Sequence, residues 1–117
     1  MATVRASLMN YRISAQKARL VAGQVRGLGV EDALNQLSIS SKRFAGPLSK
    51  LLRSAVANAE YKNDETQAGI DVDKLVVSTI TVDEGPSLWR IRPRAQGRAN
   101  WIQKRTSHIR VELGERS

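Results

Sequence analysis

Three arginines at alternate positions, Arg90, Arg92 and Arg94, carry the plainest chemistry in the sequence. Residues two apart in an extended chain share a face, so these guanidiniums would form a row of permanently charged planar forks. Such forks bind phosphate bidentately and stack on bases, which lysine does not. Pro93 stiffens the segment, and Gly97 permits a positive φ or a close approach to a backbone. Trp89, beside the row, is too exposed in this setting for a core residue; a base or a protein neighbour would cover it.

Other constellations fail on geometry. Gly27-Leu28-Gly29 begins like a dinucleotide fingerprint, but Asp32 stands where the third glycine belongs and a helix precedes it, so it reads as a helix stop. Ser107 and His108 are adjacent on a strand and point to opposite faces, which rules out a nucleophile–base dyad. His108, the single histidine, shares its face with Thr106 and Arg110 and reads as a surface or RNA-facing polar residue. Asp71, Asp73, Asp83 and Glu84 lack the spacing of a calcium loop. With no cysteine, disulfide scaffolds, thiol catalysis and cysteine-held zinc or iron–sulfur sites are excluded. No catalytic group, metal site or cofactor is expected, and an enzyme acting on nucleic acid would need a catalytic partner chain.

Charge is strongly segregated along these 117 residues, whose formal net charge is +8. Residues 1–30 hold Arg5, Arg12, Lys17, Arg19 and Arg26 without an acid; residues 85–111 hold Arg90, Arg92, Arg94, Arg98, Lys104, Arg105 and Arg110, again without one. The stretch between them is mildly acidic. An average soluble surface mixes its charges, and a long acid-free stretch repels itself unless a polyanion is near. The plain alternative is a solvated basic face that aids solubility. A basic membrane-surface helix fits poorly, because Pro93 and Gly97 interrupt the segment. The longest apolar run, as at Leu75-Val76-Val77, is far too short for a membrane span or secretory signal, so a soluble chain with no export route is expected.

The elements that must position these groups follow from periodicity. Residues 2–13 look extended but alternate poorly: Val4, Ala6 and Leu8 take one parity, Met9, Tyr11 and Ile13 the other, which predicts a bulge or burial on both faces. Ser14 caps a first helix to about Arg26, with Ala18, Val21, Ala22 and Val25 inward. Val30 to about Leu37 makes a second helix. A third opens at Ser41 or Gly46 and reaches about Tyr61 on the stripe Phe44, Leu48, Leu51, Leu52, Ala55, Val56 and Ala59, starting or kinking at Pro47. Asn63 to Gly69 reads as a polar loop. Strand character begins at Val72, is strongest over Leu75–Val82, and ends at the turn signal Asp83-Glu84-Gly85-Pro86. The last strand places Ile109, Val111 and Leu113 on one face. These two strands pair most simply as an antiparallel hairpin.

Between Val82 and Ile109 the apolar alternation needed to lie on a core largely disappears. If both strands continue past the body, about ten residues per arm at 3.3 Å each project roughly 30 Å. That compares with a radius of gyration of about 13 Å for a compact domain of this length. The alternative is a disordered basic loop. Trp101 stays open between arm and body, since it shares the parity of Ile109 and could cap the core. One domain spanning 1–117 is expected, with a body of about 1–82 and 106–117 and an arm of about 83–105.

Longer runs carry a resemblance. Asn58-Ala59-Glu60, Asp71-Val72-Asp73-Lys74-Leu75, Val82-Asp83-Glu84-Gly85-Pro86, Arg90-Ile91-Arg92-Pro93-Arg94-Ala95-Gln96-Gly97-Arg98-Ala99 and Lys104-Arg105-Thr106-Ser107-His108-Ile109 together resemble the bacterial large-subunit ribosomal protein L-twenty-two family over nearly the whole chain. Ile13-Ser14, Lys17-Ala18-Arg19-Leu20-Val21 and Arg26-Gly27 are similar to that family's first helix. The sequence departs from the family at Trp89, where Lys is usual, and at Ala15-Gln16, where Pro-Arg is common. It departs again at Gly46-Pro47 and across residues 64–68.

The resemblance implies an α+β fold: three helices packed on a small three-stranded antiparallel sheet with a long protruding β-hairpin. It implies a structural constituent of the large ribosomal subunit that binds its rRNA, organises rRNA folding during assembly, and lines the polypeptide exit tunnel with the hairpin beside ribosomal protein L-four. The nascent polypeptide would be a further partner, with no membrane and no homo-oligomer. The setting would be a cytoplasmic ribosome, an organellar one remaining open. The rRNA-binding residues implied are Arg12, Ser14, Gln16, Lys17, Arg19, Arg26, Arg90, Arg92, Arg94, Gln96, Gly97, Arg98, Lys104, Arg105, Thr106, Ser107 and His108. The tunnel-facing tip would be Leu88, Trp89, Arg90, Ile91, Arg92 and Pro93. The residues alone leave a second nucleic-acid reading open: an architectural DNA-binding protein that wraps duplex with an arginine-and-proline ribbon.

Overall fold

Ser14 accepts a hydrogen bond from the Lys17 amide at 3.4 Å, and the first helix, α1 (Ala15–Val25), starts there. The computed structural model describes residues 3–66, 69–93 and 99–115; side chains 66, 92, 93, 99 and 100 are outside that description. Before α1 comes β1 (Thr3–Tyr11); after it come α2 (Val30–Ser38) and α3 (Ala45–Thr66). A single 3-10 turn, Val72–Lys74, leads into β2 (Leu75–Glu84), then β3 (Leu88–Pro93), β4 (Ala99–Lys104) and β5 (Ser107–Glu115). The fold is α+β as expected. Three helices lie against a three-stranded antiparallel sheet ordered β1-β5-β2, and β3 pairs with β4 as a separate two-stranded ribbon.

The core is where the periodicities point. Ala18, Val21, Ala22 and Val25 of α1, Ala33 and Leu37 of α2, and Leu48, Leu51, Leu52, Ala55 and Ala59 of α3 are buried against Val77, Ile80, Val82, Ile109, Val111 and Leu113. Leu48 and Leu52 are fully enclosed, so truncating either to Ala would cost about 2–5 kcal/mol through lost contacts and the cavity left. Pro47 sits in the first turn of α3, the third residue after Phe44, whose carbonyl accepts the Leu48 amide at 3.0 Å. Amides in that turn have no partner within the helix, so the proline removes no hydrogen bond and causes no break.

Irregular β1 has a bulge, one of the two alternatives its parity allowed. The register with β5 shifts between Leu8 and Tyr11, and Asn10 takes a φ of 56°, a left-handed conformation that asparagine tolerates better than most residues. The extra residue returns Tyr11 to the inner face after Leu8. A second shift, between Val77 and Thr79 of β2, keeps both Val77 and Ile80 inward.

Both sheet edges are partly covered from within. On the β2 side, Gly27 (φ 84°) ends α1 and its amide donates to the Val77 carbonyl at 2.8 Å, while the Val77 amide donates to the Leu28 carbonyl at 2.8 Å. The Gly27-Leu28-Gly29 run is thus a helix stop that doubles as a strand partner. Farther along, Arg26 Nη2 donates to the Ile80 carbonyl at 2.9 Å, and Arg19 Nε and Nη2 donate to that of Val82 at 3.2 and 2.9 Å. On the β1 side, Asn58 Nδ2 donates to the Arg5 carbonyl and Lys62 Nζ to that of Thr3. Covering an edge this way removes a template for strand addition by another chain.

Two expectations are corrected, and one open alternative is settled. Residues expected to loop from Asn63 continue α3 to Thr66; their polarity marks an exposed helix end, and Asn63 both donates to and accepts from the Ile70 backbone at 2.7 Å. Val72 begins a 3-10 turn capped by Asp71 Oδ1, which accepts the Asp73 amide at 3.1 Å, so the strand starts only at Leu75. Trp101 does not cap the core: the strand breaks between β4 and β5, parity with Ile109 is lost, and 67% of Trp101 is exposed.

Candidate nucleic-acid interface

The ribbon leaves the body at a tightly bonded root. The Gly85 amide donates to the Thr106 carbonyl at 2.9 Å, the buried Thr106 hydroxyl donates to the Pro86 carbonyl, and Gln103 Nε2 donates to Ser87 Oγ at 2.8 Å. A Cβ on Gly85 would stand 2.7 Å from Thr106 Oγ1, so only glycine fits there. Beyond the root, β3 and β4 keep a continuous register from Leu88 opposite Lys104 to Pro93 opposite Ala99. The molecule measures 64 × 29 × 17 Å with a radius of gyration of 17.5 Å, well above the roughly 13 Å of a compact chain of this length.

At the root, on the side of the first helix's N-terminus, lies an open groove of about 580 Å³. Tyr11, Ile13, Phe44 and Ser14 form its floor and wall; Arg12, Lys17, Arg43, Lys104 and Arg105 surround it, with no acidic residue among the lining. The rings of Tyr11 and Phe44 meet with centroids 5.7 Å apart at 49°. Because Arg12 follows Tyr11 and Arg43 precedes Phe44, that one aromatic contact holds two arginine-bearing segments side by side. Among the described residues none of the five cations has a side-chain hydrogen bond or ion pair; the two ion pairs found are Arg5–Glu112 at 3.3 Å and Arg110–Asp83 at 3.1 Å. Five unpaired cations around one depression repel one another, and an anion placed among them relieves that repulsion.

The residues singled out in the sequence divide into two sets. Arg12, Lys17, Lys104 and Arg105 line the groove, and Gln16 is exposed beside it on α1. Arg90 is exposed on the ribbon, its Nη1 donating only to the neighbouring Trp89 carbonyl at 3.3 Å. Leu88, Trp89 and Ile91 are exposed on the same ribbon. Arg92 and Pro93 are described only as strand backbone, and Arg94, Gln96, Gly97 and Arg98 lie outside the described residues.

In the second set each side chain bonds the protein's own backbone. Ser14 caps α1, while Arg19 and Arg26 brace β2. Ser107 is fully buried and donates to the Ile13 carbonyl at 2.7 Å, and Thr106 is held at the ribbon root. His108 Nδ1 accepts the amide of the bulge residue Asn10 at 3.1 Å.

Arg43 was not apparent in the sequence. It lies in the acidic middle third, on the α2–α3 connection, and its only sequence signal is the adjacent Phe44 at the start of an apolar stripe. Among the described residues no group of histidine, aspartate and glutamate side chains could hold a metal ion, and no helix is long and apolar enough to cross a membrane.

A small α+β body with an acid-free cationic groove at the root of a cationic ribbon is the architecture of a structural protein suited to a polyanionic partner. Residues 6–114 match the family described as ribosomal protein L22p/L17e, and the chain belongs to that family. Membership makes it a structural constituent of the large ribosomal subunit that binds ribosomal RNA and serves translation at the ribosome. The family is structural rather than enzymatic, and it favours ribosomal RNA over a duplex-DNA wrap.

Proposed function

We propose that the chain organises large-subunit rRNA during assembly and lines the polypeptide exit tunnel with its β3–β4 ribbon, beside ribosomal protein L-four and the nascent polypeptide. The observation that carries this is the unpaired cationic groove set at the ribbon's root. An rRNA segment in the groove would fix where the ribbon starts, and the ribbon would then run between further rRNA helices. Arg12, Gln16, Lys17, Arg43, Lys104 and Arg105 contact phosphates at the root, and Arg90, Arg92, Arg94, Gln96, Gly97 and Arg98 do so along the ribbon and its tip. Ser14, Arg19, Arg26, Thr106, Ser107 and His108 act on RNA by shaping the surface, because each has a polar group bonded to the protein's own backbone. Recognition is of phosphate and shape, with base contacts confined to the ribbon. The body spans residues 1–82 and 106–117, the arm 83–105, and the setting is a cytoplasmic ribosome with the chain present as one copy.

Sedimentation tests the assembly role: tagged protein in a native lysate co-migrates with large subunits and stays there through a high-salt wash. A photo-crosslinker at Ala95 tests the tunnel role, because it should label a stalled nascent chain inside intact ribosomes. Loss of the protein in the wash, or labelling of exterior proteins alone, contradicts the corresponding half of the proposal.

A further inference from the structure

The two faces of the ribbon are chemically different. In an antiparallel pair, residues directly opposite share a face and alternate along each strand. Ile91 stands opposite Trp101 and Trp89 opposite Gln103, so Trp89, Ile91 and Trp101 share one face. Leu88 with Lys104 and Arg90 with Ile102 occupy the other. The first face is open: Trp89 is 55% exposed, Ile91 57% and Trp101 67%. Nothing in the body covers these side chains, and among the described residues the only ring contact is Tyr11 with Phe44, so the two indoles do not stack on each other. Diagonal neighbours on such a ribbon stand about 7–8 Å apart. That leaves room for one planar base between two rings at about 3.4 Å on either side, the spacing of stacked bases.

We infer that this indole face is a stacking platform for unpaired nucleobases, while the opposite face and the ribbon root neutralise phosphates. This rests on the RNA-binding reading above and names the chemistry it uses at the ribbon. Two observations favour bases over an apolar protein partner. The platform is mainly flat aromatic surface, which stacks on any base and is sequence-tolerant. It also lies one backbone layer from an acid-free cationic face, within about one Debye length of 10 Å, so a polyanion drawn to one face is already at the other.

The protein's two tryptophans both lie on this face, so tryptophan emission, excited at a wavelength tyrosine does not absorb, reports on it alone. The full chain is titrated with a large-subunit rRNA transcript, a single-stranded oligoribonucleotide, and a fully paired RNA duplex of equal length. Quenching is expected with the transcript and the single strand, and little with the duplex. Trp89→Leu and Trp101→Leu should each weaken transcript binding about 5- to 100-fold while leaving its salt dependence unchanged. Trp89→Phe and Trp101→Phe should recover most of the loss, which a merely apolar role would not require. Wild-type binding without quenching, or leucine variants that bind like wild type, would overturn the platform and leave RNA binding intact, pointing to a protein neighbour on this face. A wild-type chain that binds no RNA at all would overturn both readings.

Discussion

Replacing Arg19 separates two uses of arginine that look identical in the sequence. Its Nε and Nη2 both donate to the Val82 carbonyl, which faces outward at the edge of the sheet. A hydrogen bond to a charged donor contributes about 1.5–3 kcal/mol net. Because the guanidinium is also partly open to water, Arg19→Ala should lose about 1.5–2 kcal/mol, the low end of that range. With an unfolding entropy of about 2.1 cal/mol/K per residue over 117 residues, Tm should fall by roughly 6–8 °C, read by calorimetry or circular dichroism. RNA binding measured across a salt series should keep its slope, since the guanidinium is turned to the sheet rather than to phosphate. Arg19→Lys should lose most of the same stability, because one ammonium cannot reproduce the paired donors. If Arg19→Ala instead melted like wild type and lowered the salt slope by about 0.7–0.9, the residue would be a phosphate ligand and the bracing argument would be wrong.

Arg43→Ala should do the reverse: a salt slope reduced by about 0.7–0.9 with unchanged melting, measured by filter binding at several salt concentrations. The double variant Arg92→Ala, Arg94→Ala should reduce the slope by about 1.4–1.8, and an unchanged slope would turn these side chains toward the tunnel lumen. Gly85→Ala places a methyl 2.7 Å from Thr106 Oγ1 and 3.1 Å from His108 Cε1. Either the Thr106 hydroxyl gives up the Pro86 carbonyl or the root shifts, so urea unfolding should show a loss of about 1–3 kcal/mol.

Legibility in the sequence followed the range of the interaction. The helical stripe of α3 and the alternation of β5 are local periodicities, and both emerged with the expected faces buried. The poor alternation of β1 narrowed it to a bulge or burial on both faces, though not to His108 as the group that receives the bulge amide, 98 residues away. The roles of Arg19, Arg26 and Ser107 depend on partners 63, 54 and 94 residues distant, and composition cannot tell a bracing arginine from a phosphate ligand. Arg43 was hidden for the opposite reason. Its own neighbourhood in sequence is unremarkable, and only the Tyr11–Phe44 contact brings it to the cations of the first and last thirds.

The arrangement also accounts for how an unsupported ribbon can be aimed. A two-stranded hairpin alone in water is marginal, so its direction must be set where it joins the sheet and its persistence by what it enters. The root supplies the first requirement through the bonds among Gly85, Pro86, Ser87, Gln103 and Thr106, and through β5, the central strand that carries one leg of the ribbon. The groove beside it supplies the second. On the proposed reading, the five unpaired cations at the root would draw RNA to the bonded start of the ribbon, and the exposed indoles farther out would then have bases within reach. Arginines braced against β2 hold the sheet beneath that root, so the proposed placement of RNA would depend on the same element that stabilises the body.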